Sequence, residues 1–284
     1  MKYWISIKNK LKDNIELAMQ LLLLMLSVYT FILAENERIW KMPVLFIGLL
    51  IWLFTRKKSK HPIHWIVFFM LLLIDLYYSY FWVANHHFML IFMVLVVIFY
   101  SYHKRSDVLL KNIQLLLFIV VIASVIQKLM SSQFMSGEFY YYMINRGSLF
   151  RNFIDVLPDG LEVVKSNSES ISALYESNPN NGENIVVKDV FSNLGKISYI
   201  FAWGIMVLEF IVAIGVIWKP RSTWTHLLFS IMILSILCAR LETGFAALLA
   251  ICGVFLCRNI NLRLLYIIIV LGCFSLVVTK IGYH

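Results

Sequence analysis

Apolar runs separated by short polar breaks set the rhythm of this chain. Runs at 15–34, 43–55, 63–83, 87–101 and 108–130 precede a polar stretch of over sixty residues, and runs at 198–218, 223–239, 242–257 and 262–280 follow it. A membrane-crossing helix needs roughly 20 apolar residues, because each residue advances only about 1.5 Å across the hydrocarbon layer. Most of these runs meet or approach that length with almost no charge. They predict an all-α fold: a polytopic transmembrane helix bundle of about nine spans, a single integral membrane domain over 1–284 with one large loop inserted at 131–197. The segment 43–55 is the shortest of the nine. The first run is too long for the apolar core of a signal peptide and has no small-residue cleavage site behind it, which predicts an uncleaved first span.

Composition points the same way. The chain is 61% hydrophobic and 14% charged, whereas soluble domains run near half apolar and a quarter charged. A net charge of +9 would suggest nucleic acid in a soluble protein. Here the basic residues cluster between apolar runs and read as topology signals instead. With the N-terminus cytoplasmic, the clusters at 2–12, 56–60, 104–111, 219–221 and 258–263 all fall inside. The short outside connections carry only Arg38, Lys41 and Arg240, offset by Glu35, Glu37 and Glu242. The loop at 131–197, with eight acids against five bases, is thereby predicted to be extracytoplasmic. The expected setting is a plasma membrane, with the lipid bilayer as partner and no nucleic acid.

Within the loop, Leu149, Phe150, Phe153, Ile154 and Leu157 recur at helical spacing. They predict a short amphipathic helix that either lies in the membrane interface or packs on the spans. Pro158-Asp159-Gly160 ends it, 178–182 is a strong turn signal, and 185–190 reads as a short strand. The four cysteines, Cys238, Cys252, Cys257 and Cys273, show neither CxxC nor zinc spacing and read as small buried hydrophobes.

Ionisable groups inside spans are costly, so each needs a reason. Asp75 falls in the third span and Glu209 near the middle of the sixth. Lys128 lies close to the outer end of the fifth, with Gln114 deeper, and His86 and His87 open the fourth. One reading is a polar centre open to the outer face, where a desolvated lysine serves as a base and a histidine orients substrate. The other is structural: Lys128 snorkels to the headgroups, and the carboxyls bind helices together. The run Tyr77-Tyr78-Ser79-Tyr80-Phe81-Trp82 fits an interfacial aromatic belt, with the floor of a pocket for a flat ligand such as a quinone as the alternative.

The order of these positions carries a resemblance. Asn85-His86 opens one span and Ser106-Asp107 precedes the next. Gln114, the Lys128-Leu129 pair, Phe134 and Gly137 follow, then Leu208-Glu209 and His226 beyond the loop. This pattern resembles the transmembrane region shared by vitamin K-dependent γ-glutamyl carboxylases and their bacterial relatives, the HTTM family, over roughly 63–257. The resemblance implies Lys128 as a base toward a reduced quinone cofactor, with His86 at the same centre. Val121, Ser124 and Val125 depart from the family's Tyr and small-Gly pair, and Phe134 stands where the family favours Trp. The predicted topology puts His226 near the inner face, outside the site. The large domain that follows the membrane region in the carboxylases has no counterpart in this sequence. Short bacterial members include membrane proteins needed to mature a secreted sporulation-delaying peptide toxin. The resemblance thus implies a bacterial membrane protein acting on a secreted peptide. Lys128 and His86 are its expected catalytic residues, and Asp75 and Glu209 support a cofactor site. The alternative is a non-enzymatic membrane subunit or export accessory, with 131–197 as the contact surface for a secreted partner.

Overall fold

A computed structural model describes residues 11–34, 62–81, 85–154, 156–157, 159–176 and 185–278. Among them the chain forms twelve helices and no strand: α1 Asn14–Ala34, α2 Ile63–Ser79, α3 Asn85–His103, α4 Ser106–Leu129, α5 Ser132–Met135, α6 Glu138–Asn145, α7 Arg151–Ile154, α8 Gly160–Glu176, α9 Leu194–Trp218, α10 Thr223–Arg240, α11 Thr243–Leu256 and α12 Ile260–Val278. Five of them, α3, α4, α9, α10 and α12, are long and apolar enough to cross a membrane. In their described parts α1, α2 and α11 are shorter apolar helices. The predicted span at 43–55 lies outside the described residues. These long apolar helices leave large apolar side chains uncovered: Phe92 and Phe99, Ile119 and Ile126, Ile200 and Phe210, Ile268 and Leu271 are all about half exposed or more. A surface of this kind suits lipid rather than water.

The chain divides into two compact units. The first comprises Met1–Val120, Val212–Leu234 and Glu242–His284. Its centre is α11, in which every residue from Ala246 to Leu256 is buried. That helix is only about 21 Å long and packs chiefly on α12 and α1. Small residues let its neighbours come close. A Cβ on Gly253 would lie 2.6–2.8 Å from three ring carbons of Tyr266, itself fully buried. Polar ends are tied off within the unit. The Asn14 amide donates to the Phe255 carbonyl. The buried Arg263 guanidinium donates to the carbonyls of Leu11, Lys12 and Cys257, which places a cation at the C-terminal end of α11, where the helix dipole favours one.

The second unit comprises Val121–Ile211 and Ser235–Leu241. Its core gathers Tyr140, Ile144, Leu149, Ile154, Val190, Leu194 and Ala202. An aromatic stack fills it: Phe134 lies 4.2 Å from Phe139, and Tyr140 meets Phe201 edge-on at 4.9 Å. The chain enters this core through Gly137, in the left-handed region at φ +80°, where a Cβ would come within 2.7 Å of the Tyr199 backbone. Only glycine serves both the conformation and the close approach.

Two local expectations are corrected here. The segment 149–157 is no extended amphipathic helix. A single turn, Arg151–Ile154, forms, because Leu149 and Ile154 are drawn into the core and the Phe150 amide donates to the Ala239 carbonyl at 2.9 Å. The packed alternative therefore describes Leu149 and Ile154, while Phe153, Val156 and Leu157 stay exposed. The segment 185–190 is no strand. Its backbone finds side-chain amides in place of a partner strand. Asn167 donates Nδ2 to the Lys188 carbonyl at 2.8 Å and accepts the Lys188 amide at 2.9 Å, and Asn145 accepts the Val190 amide at 3.1 Å. Asn167 also donates to the Asn145 carbonyl at 3.1 Å, so one buried side chain does the work of a pairing strand.

Candidate functional site

Lys128 sits in the last turn of α4, where the helix dipole favours a cation. Its Nζ contacts both carboxylate oxygens of Glu209, at 2.5 Å for Oε2. It also donates to Ser124 Oγ at 3.0 Å, and Ser124 lies one turn back on the same face of the helix. The Ser124 hydroxyl in turn donates to Glu209 Oε2 at 3.2 Å. An ammonium has three N–H donors, and these three acceptors take all of them. The pair is well removed from solvent, with side-chain exposures of 16% and 7%.

Glu209 lies roughly four turns into α9, while Lys128 is one residue from the end of α4. The first turns of α9 therefore extend past the end of α4, and α5 to α7 fold against that overhang through Leu194, Phe201 and Ala202. Beside the pair, Phe134, Met135, Ala202, Trp203 and Met206 join Lys128 around a crevice of about 10 Å³, the space of one water molecule. Tyr140, in the adjoining core, has its phenol pushed up to about 12, first by burial and then by the negative charge of Glu209, against an opposing effect of Arg240.

The other sequence-predicted residues belong to the first unit. Asp75 is buried on α2, with Oδ2 4.0 Å from Nδ1 of His87. His87 Nε2 is 3.0 Å from the Leu72 carbonyl. A carbonyl can only accept, so Nε2 carries a proton. His86, half-buried, lies beside Phe245 at a ring distance of 6.4 Å and near Gly244. Gln114 Nε2 donates to the Val216 and Ile217 carbonyls at 2.8 and 3.2 Å. His226 is paired with Tyr266: Nδ1 lies 3.0 Å from the phenol oxygen, which donates to the His226 carbonyl at 2.9 Å.

Lys128 and Glu209 are thus brought into contact within one unit, whereas His86 and Asp75 belong to the other. Two residues named in the sequence were given no part in the site there. Ser124 could have been found from its four-residue spacing to Lys128. His87 rather than His86 faces Asp75, and adjacent histidines give no sign of which one turns inward until the helix phase is known.

No family model, curated protein or solved structure matches this chain. Fold and site together define its class: among the described residues, an all-α chain with five helices long and apolar enough to cross a membrane and a buried lysine–glutamate pair in its second unit.

Proposed function

We propose that this is an integral protein of a bacterial plasma membrane, N-terminus inside, that acts at the extracytoplasmic face in the modification or maturation of a secreted peptide. The observation that carries this reading is the Lys128–Glu209–Ser124 cluster next to a crevice with room for one water. An ion pair in a dry site can convert to a neutral pair by passing one proton from Nζ to Oε2. Once the Lys128 amine turns toward the crevice it lines, its lone pair takes a proton from the substrate or from the crevice water, and Glu209 delivers its own proton to the product, which restores the ion pair. Ser124, bonded to both partners, holds them in register. The order of residues resembling the HTTM family supports the same lysine.

The residues around Lys128 do not fit a quinone ring, because a crevice of about 10 Å³ cannot hold one.

Lys128→Arg tests the reading. Arginine keeps the positive partner for Glu209 but does not release a proton at any working pH. Maturation of the peptide should be lost in Lys128→Arg and Lys128→Ala at normal expression. Full function in Lys128→Arg would leave the pair a structural tie. The second reading, a non-enzymatic accessory, is favoured by exposed apolar side chains on the second unit: Phe153, Val156, Leu161 and Tyr175 are 56–82% exposed. Under that reading a secreted partner co-purifies with the intact protein. It is lost on polar substitution of these residues and retained in Lys128→Arg.

A further inference from the structure

We propose that a cavity in the first unit, between the start of α4, the link from α9 to α10 and the end of α11, is a phosphate-recognition site that takes the headgroup of an anionic lipid. The cavity measures about 520 Å³, and its polar lining is Asp107, Lys111, Gln114, Lys219, Arg221 and Ser222. That volume lies in the range of small-ligand sites. Its charge is one-sided. Three cations line it against one carboxylate, and Asp107 is already paired with Arg105 at 2.8 Å.

The floor is prepared for an anion in a second way. The C-terminal carbonyls of α9 would present negative dipole ends to anything bound there. Gln114, itself buried, spends its amide protons on the Val216 and Ile217 carbonyls, and Thr225 Oγ donates to the Lys219 carbonyl at 3.0 Å. With those oxygens occupied, the charges left facing the cavity are mainly ammonium and guanidinium. Lys219 Nζ lies 4.8 Å over the Trp218 ring, which braces it at the rim.

Depth selects the ligand. Trp218 and Trp224, 75% and 74% exposed, flank the link, and exposed tryptophans at helix ends mark the headgroup level of a bilayer. A phosphodiester headgroup held there would satisfy Lys111, Lys219 and Arg221, with its acyl chains on the neighbouring apolar helix faces. Basic pockets between spans recognise anionic lipid headgroups by this chemistry. Inorganic phosphate shares it and would bind in the same place.

The test uses the full-length protein, purified in detergent and reconstituted in nanodiscs. Retention of phosphatidylglycerol against phosphatidylcholine is read by native mass spectrometry, and inorganic phosphate serves as competitor. Preferential retention of phosphatidylglycerol is expected. It should fall roughly fivefold in Lys219→Gln and on the order of a hundredfold when Lys111→Gln, Lys219→Gln and Arg221→Gln are combined. Thermal protection by inorganic phosphate without any lipid preference, lost in the same variants, would keep the phosphate site and assign it to a free anion. Equal retention of both lipids with no response to phosphate overturns the proposal. So does unchanged retention in the combined variant or, should that variant fail to fold, in Lys219→Gln and Arg221→Gln taken singly.

Discussion

The two units solve the problem of buried polarity in opposite ways. In the first, the central α11 is buried from Ala246 to Leu256, and its backbone satisfies itself through the helix. Side chains are needed only at the ends, where Asn14 and Arg263 take up free carbonyls. In the second, little of the 131–193 chain lies in long helices, so the backbone must look outward for partners. Asn145 and Asn167 supply them to 185–190, and aromatic edges fill the space between. A helix buried on all sides can be made of Ala, Gly, Leu and Val. A short irregular segment such as 185–190, in which only Val190 is buried, anchors its backbone through amides placed to meet it.

That contrast can be broken most sharply at the ion pair. Glu209→Leu alone strands the Lys128 ammonium, and Lys128→Met alone strands the carboxylate. Each should cost about 3–5 kcal/mol, read from thermal unfolding in detergent. The double variant should recover most of the loss. A double variant as unstable as either single would show that the pair contributes through packing rather than charge.

Glycine substitution compares the units directly. Gly137→Ala forces a left-handed residue against the Tyr199 backbone, which has no way to yield, at a cost of about 1–3 kcal/mol in strain before the clash is counted. Gly253→Ala presses on the Tyr266 ring, and an overpacked core commonly loses about 1–3 kcal/mol. The first should loosen the second unit, with raised proteolysis between 131 and 193, and the second should leave that segment protected. Matching proteolysis patterns would argue that the two regions unfold together.

Asn167→Leu is a smaller change in volume but leaves the Lys188 amide and carbonyl without their partner. About 1–3 kcal/mol is expected, seen as faster amide exchange at 185–190 with little change elsewhere.

The last effect appears only at alkaline pH. In the fold the Tyr140 phenol is raised from 10.0 to about 12, so the folded state holds its proton longer than the unfolded chain does. This contribution is fully present below pH 10 and is lost as pH rises toward about 12. Tyr140→Phe should flatten stability in that window. An unchanged alkaline profile would place the loss on another group.

The five long apolar helices were legible in sequence because length of apolar run is a simple property, and α3, α4, α9, α10 and α12 display it without reference to neighbours. Lys128 and Glu209 were legible as costly residues for the same reason. Their contact was not: it depends on α9 starting at Leu194, well before Glu209, and reaching past the end of α4, and that depends on a core made of Tyr140, Leu149 and Ile154. The segment 185–190 has the composition of a strand, yet a strand needs a neighbour, and the fold offers Asn145 and Asn167 instead. His86 and His87 stand side by side in the sequence, and the phase of α3 decided which one meets Asp75. Hydrophobicity is a sum over local residues and can be read along the chain. Pairing is a matter of direction and distance between segments, and only the tertiary structure fixes those.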